Sequence, residues 1–534
     1  MSTVAGADGP VVTVTQTITG LNDVVSGGFE PPDVSVAAGT GFLVELVNLA
    51  QQTWSTTADG ATQVVQRRDL SVLFGSGSDR LTDPRIFFDA PTGRWLASIS
   101  DIDDDSVLLA VSAGGDPTGA WTVSSYAAGG CADQPRLGVA DGVVVLTADV
   151  FEDCEEIGAR PLGAELWTVN KAQLLAGSTA PAFSSFGPTV EYSSFAPVQS
   201  LSSTATEYVV SVDDRASRLV HLLAVDGVPP DPVDVLEVAA PAIKPLLRPP
   251  PAGQPPGTGV RPPIATNDNR VLDSVWENGR LWFSANASCI PGGDALIRSC
   301  ARIVELATET RTVRFDADLG FAGANVFYPA LRPRDNGDLV VVAGETGQKV
   351  PLELIVVGRT TDGVFTPPVV VAQSVGLYRG DRYGDYFAAA RDPLRPETVW
   401  VGGEMGSDIP SGRGWATALA AVVVTGAGSI PPAIARNAPP GVRASSAVRR
   451  IGATVRLGYL ALDEGSAVRT VVVVRNAKKV VFRHSTPRET LHEQKRYAVA
   501  WPAGKARGRF GYCVNTVSIS GVASPQSCVA ITVR

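Results

Sequence analysis

VWVGGE, residues Val399–Glu404, is an apolar, strand-like run that ends directly on a carboxylate. Strands covered on both faces read as nearly continuous apolar runs, so a charge closing one needs a reason. The same event recurs along the chain. FLVELVN ends at Asn48, WLASISD at Asp101, VVVLTAD at Asp149, YVVSVD at Asp213, LWFSAN at Asn286 and VVVAGE at Glu345. With Glu404 that makes seven closures on Asn, Asp or Glu, roughly fifty to seventy residues apart, the mark of a repeated structural unit with loop insertions.

Each run is preceded by another strand-like segment that begins on turn chemistry: PPDVSVAAG, TDPRIFFDAPTG, ADQPRLGVADG, SFAPVQSLSS, NRVLDSVWENG, VFYPALRPRDNG and GDYFAAARDP. Several close on PTG, DG or NG, which favour tight hairpins. Two further strands follow, for example SVLLAVSA then AWTVSSY, or RIVELAT then RTVRFDA. Four antiparallel strands repeated seven times predict an all-β fold, a seven-bladed β-propeller over residues 1–428. VVTVTQT, residues 11–17, has no nearby partner and is expected to be the outer strand of the last blade, beside WATALAAVVV, closing the ring. In such a blade the first strand begins, and the second ends, on one face of the disc. The terminal polar residues are therefore expected to open onto a central funnel. A Pro-rich linker, residues 429–440, leads to residues 441–534, where ATVRLGYLAL, VRTVVVVRN, RYAVAWP, FGYCVNTVSI and SCVAITV predict a small β-sandwich.

The 534 residues include 54 Gly and 39 Pro and are 44% hydrophobic, which suits many short strands and excludes global disorder. A net charge of −9 with scattered arginines excludes a dedicated nucleic-acid or anionic-membrane surface. No apolar stretch is long enough to span a bilayer. MSTVAGADGP lacks the basic start and apolar run of a leader peptide, so a leader is expected to be absent from this chain. The six cysteines fall into neighbouring couples, and the predicted disulfides are Cys131–Cys154, Cys289–Cys300 and Cys513–Cys528. No CxxC occurs, and His221, His484 and His492 are dispersed, which argues against a zinc site. Three disulfides imply an oxidising compartment, hence a secreted or cell-surface protein; a monomer is the expected state.

DPRIFFDAPTGRWLASISD, LLAVSAGGDPTGAWTVSSY, ADQPRLGVADGVVVLTADVF, NRVLDSVWENGRLWFSAN and DRYGDYFAAARDPLRPETVWVGGE resemble segments of secreted bacterial propeller proteins loosely grouped as sialidase-like. The likeness covers most of residues 30–425 and implies the fold and export. SAGGDPTGAW, Ser112–Trp121, is similar to the Asp-box turn of sialidases, which holds a hairpin together away from the active face. YCVNTVSISGVASPQSCVAI resembles the last hairpin of bacterial immunoglobulin-like or fibronectin-type modules, which serve as spacers or attachment units. A sialidase proper needs three arginines and a Tyr–Glu pair; Arg85, Arg136, Arg270, Arg382, Tyr383, Tyr386 and Glu404 supply those residue types, at a different spacing.

The starts of the inner strands carry Asp33, Asp83, Arg85, Asp133, Arg136, Asp268, Arg270, Tyr328, Asp385 and Tyr386. Carboxylates crowded round one channel raise one another's pKa, a frequent feature of acid–base sites. Asp83, Asp133, Asp385 and Glu404 are the preferred catalytic carboxylates, a pair of which would cleave a glycosidic bond. Arg85, Arg136, Arg270, Tyr328, Arg382 and Tyr386 are the expected substrate-binding set, facing an extracellular glycan or cell-surface polymer. The alternative is a non-catalytic adhesion or scaffold protein. No cofactor is required, although calcium suits an all-oxygen ligand set. SDIDDDS, Ser100–Ser106, lacks the Gly and terminal Glu of an EF-hand and reads as a solvated loop. There is no G-x-S-x-G elbow, and His221 lies within the outer-strand run RLVHLLAV, which argues against a serine hydrolase. The Pro-rich insertion Ile243–Pro263 is either a lid over the funnel or a surface spacer.

Overall fold

The computed structural model describes residues 10–533 apart from 58–59, 61, 155–158, 214–215, 256–262, 362, 376–377, 379, 381, 408–413, 426–441, 452–453, 462–468, 477–478, 488–495, 505 and 518–526. The chain divides into two compact units, Met1–Cys289 with Ile297–Pro432, and Ile290–Leu296 with Ala433–Arg534.

Among the described residues of the first unit, seven four-stranded antiparallel blades follow one another. Their inner strands are Ser35–Gly39 (blade 1), Leu81–Asp89 (blade 2), Cys131–Val139 (blade 3), Ala196–Pro197 (blade 4), Val271–Glu277 (blade 5), Asn325–Pro333 (blade 6) and Ala388–Arg391 (blade 7). Each inner strand touches the next, and that of blade 7 touches that of blade 1, so the ring closes. The fourth strand of blade 7 is Val11–Asn22, paired antiparallel from Val11↔Thr425 to Asn22↔Ala416. It is longer than VVTVTQT alone suggests. Its residues alternate exposed and covered, as an edge strand facing water on one side should. The second strands, such as Val143–Phe151, are buried almost throughout, which is why they read as unbroken apolar runs.

Blade 4 departs from the pattern. Its inner strand is two residues long, and the next piece, Gln199–Ser200, pairs parallel with Val139 of blade 3 and with Val275 and Trp276 of blade 5. Buried tryptophans pack between the sheets: Trp54, Trp95, Trp167, Trp282 and Trp400. Gly39 makes room for one of them, since a Cβ there would stand 2.4 Å from the Trp95 ring. Truncating such a tryptophan to alanine costs about 3–5 kcal/mol.

SAGGDPTGAW is a turn staple. Trp95 N–H donates to Ser112 Oγ (2.9 Å), Thr118 N–H to Asp116 Oδ1 (2.8 Å) and Trp121 Nε1–H to Pro117 O (2.9 Å). NKAQLLAG forms the five-residue helix Lys171–Leu175, capped by Asn170, whose side chain accepts from Gln173 N–H (3.0 Å).

In the second unit, Val442–Ile451, Thr454–Ala461 and Arg496–Trp501 form one sheet, and Lys479–Ser485, Arg469–Asn476, Gly508–Val517 and Ser527–Val533 another. Val455, Leu457 and Trp501 of the first share a core with Val472, Val474, Tyr512 and Val514 of the second, a β-sandwich. All six cysteines are in the pairs Cys131–Cys154, Cys289–Cys300 and Cys513–Cys528, and the last joins directly opposed residues of two strands. The disulfides fit an oxidising compartment. No helix among the described residues is long and apolar enough to cross a membrane.

Candidate functional site

One backbone feature recurs where the inner strands begin. Asp33, Asp83, Gln134, Asn267, Tyr328 and Asp385, from six different blades or the segments leading into them, all have φ between 48° and 67°. This left-handed conformation costs a non-glycine residue free energy, least for Asn and Asp. In blades 2, 3 and 6 it coincides with a bulge, where the pairing register shifts between Thr82 and Arg85, Asp133 and Arg136, and Phe327 and Ala330. The residue after each is a proline (Pro84, Pro135, Pro329), which has no N–H to leave unpaired at the irregularity. That X-Pro dipeptide, repeated at corresponding points of several blades, is the sequence signal for the bulge.

The ends of the second strands serve these turns. Asn48 Oδ1 accepts the Asp83 N–H (2.8 Å) of the next blade, and its Nδ2 donates to Asp33 Oδ2 (2.6 Å) and Pro31 O (2.9 Å). Asn286 repeats the arrangement, accepting the Tyr328 N–H (2.7 Å) and donating to Thr266 O (2.8 Å). Glu404 Oε2 accepts the Gly384 N–H (2.6 Å). The expectation that these polar ends open onto the funnel is thereby corrected. Asn48, Asp101, Asp149, Asn286, Glu345 and Glu404 are all buried, and those with bonds named above fasten the strained turns in place. Asp213 alone of the seven lies exposed.

The turns surround a cavity of about 520 Å³. Five of the six left-handed residues line it: Asp33, Asp83, Gln134, Asn267 and Asp385. Asp133, Asp153, Arg270, Arg382 and Arg80 complete the charged lining, and Phe29, Pro31, Ile102 and Phe151 supply apolar wall. Cys154 also lines it, so the Cys131–Cys154 bridge braces one side. Its volume lies in the range that holds small ligands.

The electrostatics divide the lining in two. Arg270 is held by Asp149 and by Asp268 (2.8 Å); burial alone would weaken its charge, but Asp268, Asp149 and Asp133 outweigh that and keep it protonated. Arg382 pairs with Asp385 and, against burial, is likewise held protonated by Asp385, Asp33 and Asp83. Arg80 reaches Asp103 (3.3 Å). Asp33, Asp83 and Asp133 make no ion pair among the described residues. Burial, then the charges of Asp83 and Asp385, hold the Asp33 carboxyl well above its ordinary range, against Arg382 and the Asn48 bond. Burial, Asp83, Asp149 and Asp385 push Asp133 up to about 7, although Arg270 pulls the other way. Asp385 is raised by burial and Asp83, with Arg382 opposing. These aspartates are thus close enough to repel one another.

Arg85, Arg136, Tyr328, Tyr386 and Glu404, also singled out from the sequence, do not line this cavity. The Arg85 guanidinium sits 3.3 Å from the centre of the Tyr386 ring, and Tyr386 OH donates to Pro84 O (2.8 Å). Arg136 donates to Ser194 Oγ (2.6 Å) and Phe195 O (3.1 Å), and burial lowers its pKa to about 10. Arg85 and Arg136 border a separate void of only about 20 Å³. Tyr328 OH donates to Ala265 O (2.9 Å), and burial raises its pKa. Glu404 is fully buried, with its pKa raised well above the ordinary range by that burial, and is not part of the cavity wall. Its contact with Gly384 makes it a positioning residue for Asp385. Ala252 within the Pro-rich insertion and Ile264 just after it bond to each other and pack in the core cluster that holds Tyr328 and Tyr378. Residues 256–262 lie outside the described residues. In SDIDDDS, Asp101 accepts from Ser76 Oγ (2.8 Å) and Asp103 from Ser78 Oγ (2.7 Å). Among the described residues no group of three or more carboxylate, histidine or cysteine side chains is placed to hold a metal ion. His221 pairs with Glu237 (2.7 Å) at the start of the third strand of blade 4, remote in sequence from the cavity lining.

No model of a known protein family and no curated protein matches the chain. Among solved structures, it is similar to the phage phi92 endosialidase (9% identity, 96% of this chain and 87% of that one, TM-score 0.38). It is also similar to the Trypanosoma rangeli sialidase in complex with sialic acid (10%, 98% and 88%, 0.33). A third is a quinonprotein alcohol dehydrogenase-like protein from Bacteroides thetaiotaomicron (10%, 64% and 67%, 0.34). At these values the likeness carries none of the functional argument, which rests on the cavity itself.

Proposed function

We propose that this is an exported protein that engages an extracellular glycan in the acidic cavity and hydrolyses a glycosidic bond there. The observation that supports this reading is the convergence of Asp33, Asp83, Asp133 and Asp385, from separate blades, on one cavity shared with Arg270 and Arg382. Hydrolysis of a glycosidic bond needs one carboxyl that holds a proton near neutrality and a second that is ionised. Asp133, raised to about 7 by burial and by Asp83, suits the general acid. Asp83, whose charge contributes to that rise, suits the partner as base or nucleophile. Arg270, Arg382 and Gln134 would hold sugar hydroxyls, and Phe29 and Phe151 would face the apolar side of a ring. The sandwich fits an attachment or spacer module.

The test is an oligosaccharide array followed by a reducing-end assay on whatever the wild type retains. Asp83→Asn and Asp133→Asn should each lower turnover by 10²-fold or more while retaining the glycan. Retention without any reducing ends would move the protein to the adhesion class. Failure to retain any glycan would overturn the reading.

A further inference from the structure

Resting on that reading, we propose that the glycan carries a free amino group, whose ammonium seats against Asp33, beside Asp83. Three observations lead there. First, the arginines of the cavity are already committed: Arg270 to Asp149 and Asp268, Arg382 to Asp385, Arg80 to Asp103. Among the described residues Asp33 and Asp83 form no ion pair, although the Arg382 charge acts on both. Second, Asp33 is 2% exposed and lines the cavity, yet its Oδ1 has no hydrogen-bond partner among the described residues. A buried carboxylate oxygen left unbonded is costly unless a ligand supplies the donor. Asn48 fixes the other oxygen, so Oδ1 is held in one direction. Third, Asp33 and Asp83 are kept in left-handed backbone conformations, Asp83 within the bulge between Thr82 and Arg85, and both line the cavity.

The same features argue against two other occupants. An acidic sugar would bring a further negative charge beside carboxylates that already repel one another. A divalent cation would need a set of ligands converging on one point, and no such set is present among the described residues. An ammonium needs no such set: Asp33 Oδ1 can accept one of its N–H groups, and the Asp83 charge that raises Asp33 lies close by. Burial and the charges of Asp83 and Asp385 raise the Asp33 carboxyl, and an ammonium seated beside it would favour the charged form and release a proton. Phe29 and Phe151 on the wall suit the ring that carries the amine.

The experiment is calorimetry of the full chain with a glucosamine tetrasaccharide, the same tetrasaccharide N-acetylated, and calcium chloride alone. The free-amine form should bind at least tenfold tighter than the acetylated form, with protons released on binding, seen as a heat that depends on the buffer. Asp33→Asn, with its fold checked by circular dichroism, should reduce that preference at least fivefold. Should it fail to fold, Asp83→Asn is read in its place. Equal affinity for the two tetrasaccharides would overturn the amine inference while leaving the glycan reading standing. Binding of calcium with displacement of the sugar would also overturn it, in favour of a metal. If neither sugar binds but oligosaccharides without amines do, the inference again fails alone; if no oligosaccharide binds, the glycan reading fails with it.

Discussion

Glu45 offers a quantitative check on how the ring is closed. It lies mid-strand in Phe42–Val47 of blade 1, fully buried. Its Oε2 accepts the Leu21 N–H of the closing strand (3.0 Å), and its Oε1 meets the Thr417 hydroxyl of the blade 7 third strand. Gly20 has no side chain for good reason, since a Cβ would sit 2.5 Å from Glu45 Oε2. Burial pushes the carboxyl from an ordinary value of 4.5 to about 7, against smaller opposing effects of Thr417, Leu21 and Arg67. At about 1.4 kcal/mol per tenfold change in proton affinity, that rise corresponds to about 3 kcal/mol. Because the folded state binds this proton more tightly than the unfolded chain, the contribution is present below pH 4.5 and is lost as pH rises through 7. Glu45→Gln keeps the shape, accepts from Leu21 and donates to Thr417, and never ionises. Urea unfolding followed by tryptophan fluorescence should find the two proteins nearly equal around pH 4.5. By pH 8 the Gln variant should lead by about 3 kcal/mol. An offset that stays constant with pH, or a Gln variant weaker at pH 8, would refute the placement of a neutral carboxyl at the ring closure.

Two comparisons test the fastening of the cavity. Asn48→Ala leaves the Asp83 N–H and the Asp33 carboxyl without their partner and should cost about 2 kcal/mol in stability, measured by denaturant midpoint, together with a loss of ligand affinity. Asn286→Ala removes the same kind of bond from Tyr328, which does not line the cavity, and should cost similar stability while leaving affinity almost unchanged. Replacing Cys131 and Cys154 together by serine releases a closure of 23 residues and should lower stability by roughly 3 kcal/mol. Since Cys154 lines the cavity, binding should weaken as well.

Most of the fold was legible along the chain because it is written in local periodicity. VVVLTAD reads as a strand buried on both faces and the PTG and NG turns as hairpins, each within a window of a few residues, and neighbouring cysteines read as loop closures. The polar strand ends were equally visible, but their task was not. Asn48 and Asn286 act on residues 35 and 42 positions away, in the following blade. Nothing near them in sequence separates a side chain that meets a ligand from one that holds the next turn.

What the sequence by itself determined is therefore the list of strands, their order, and the residue types gathered at one rim. The tertiary structure decided which of those residues face the cavity. Glu404 and Asp385 both stand beside strand ends, yet closing the ring buries Glu404 beneath Gly384 and leaves Asp385 in the wall. Arg85 and Arg270 both belong to inner-strand starts, yet one stacks on Tyr386 and does not line the cavity, while the other does. The reason is that a blade's twist and the left-handed turns at Asp33, Asp83 and Asp385 set the direction of each side chain. Those directions converge only once seven units, distant in sequence, share one axis.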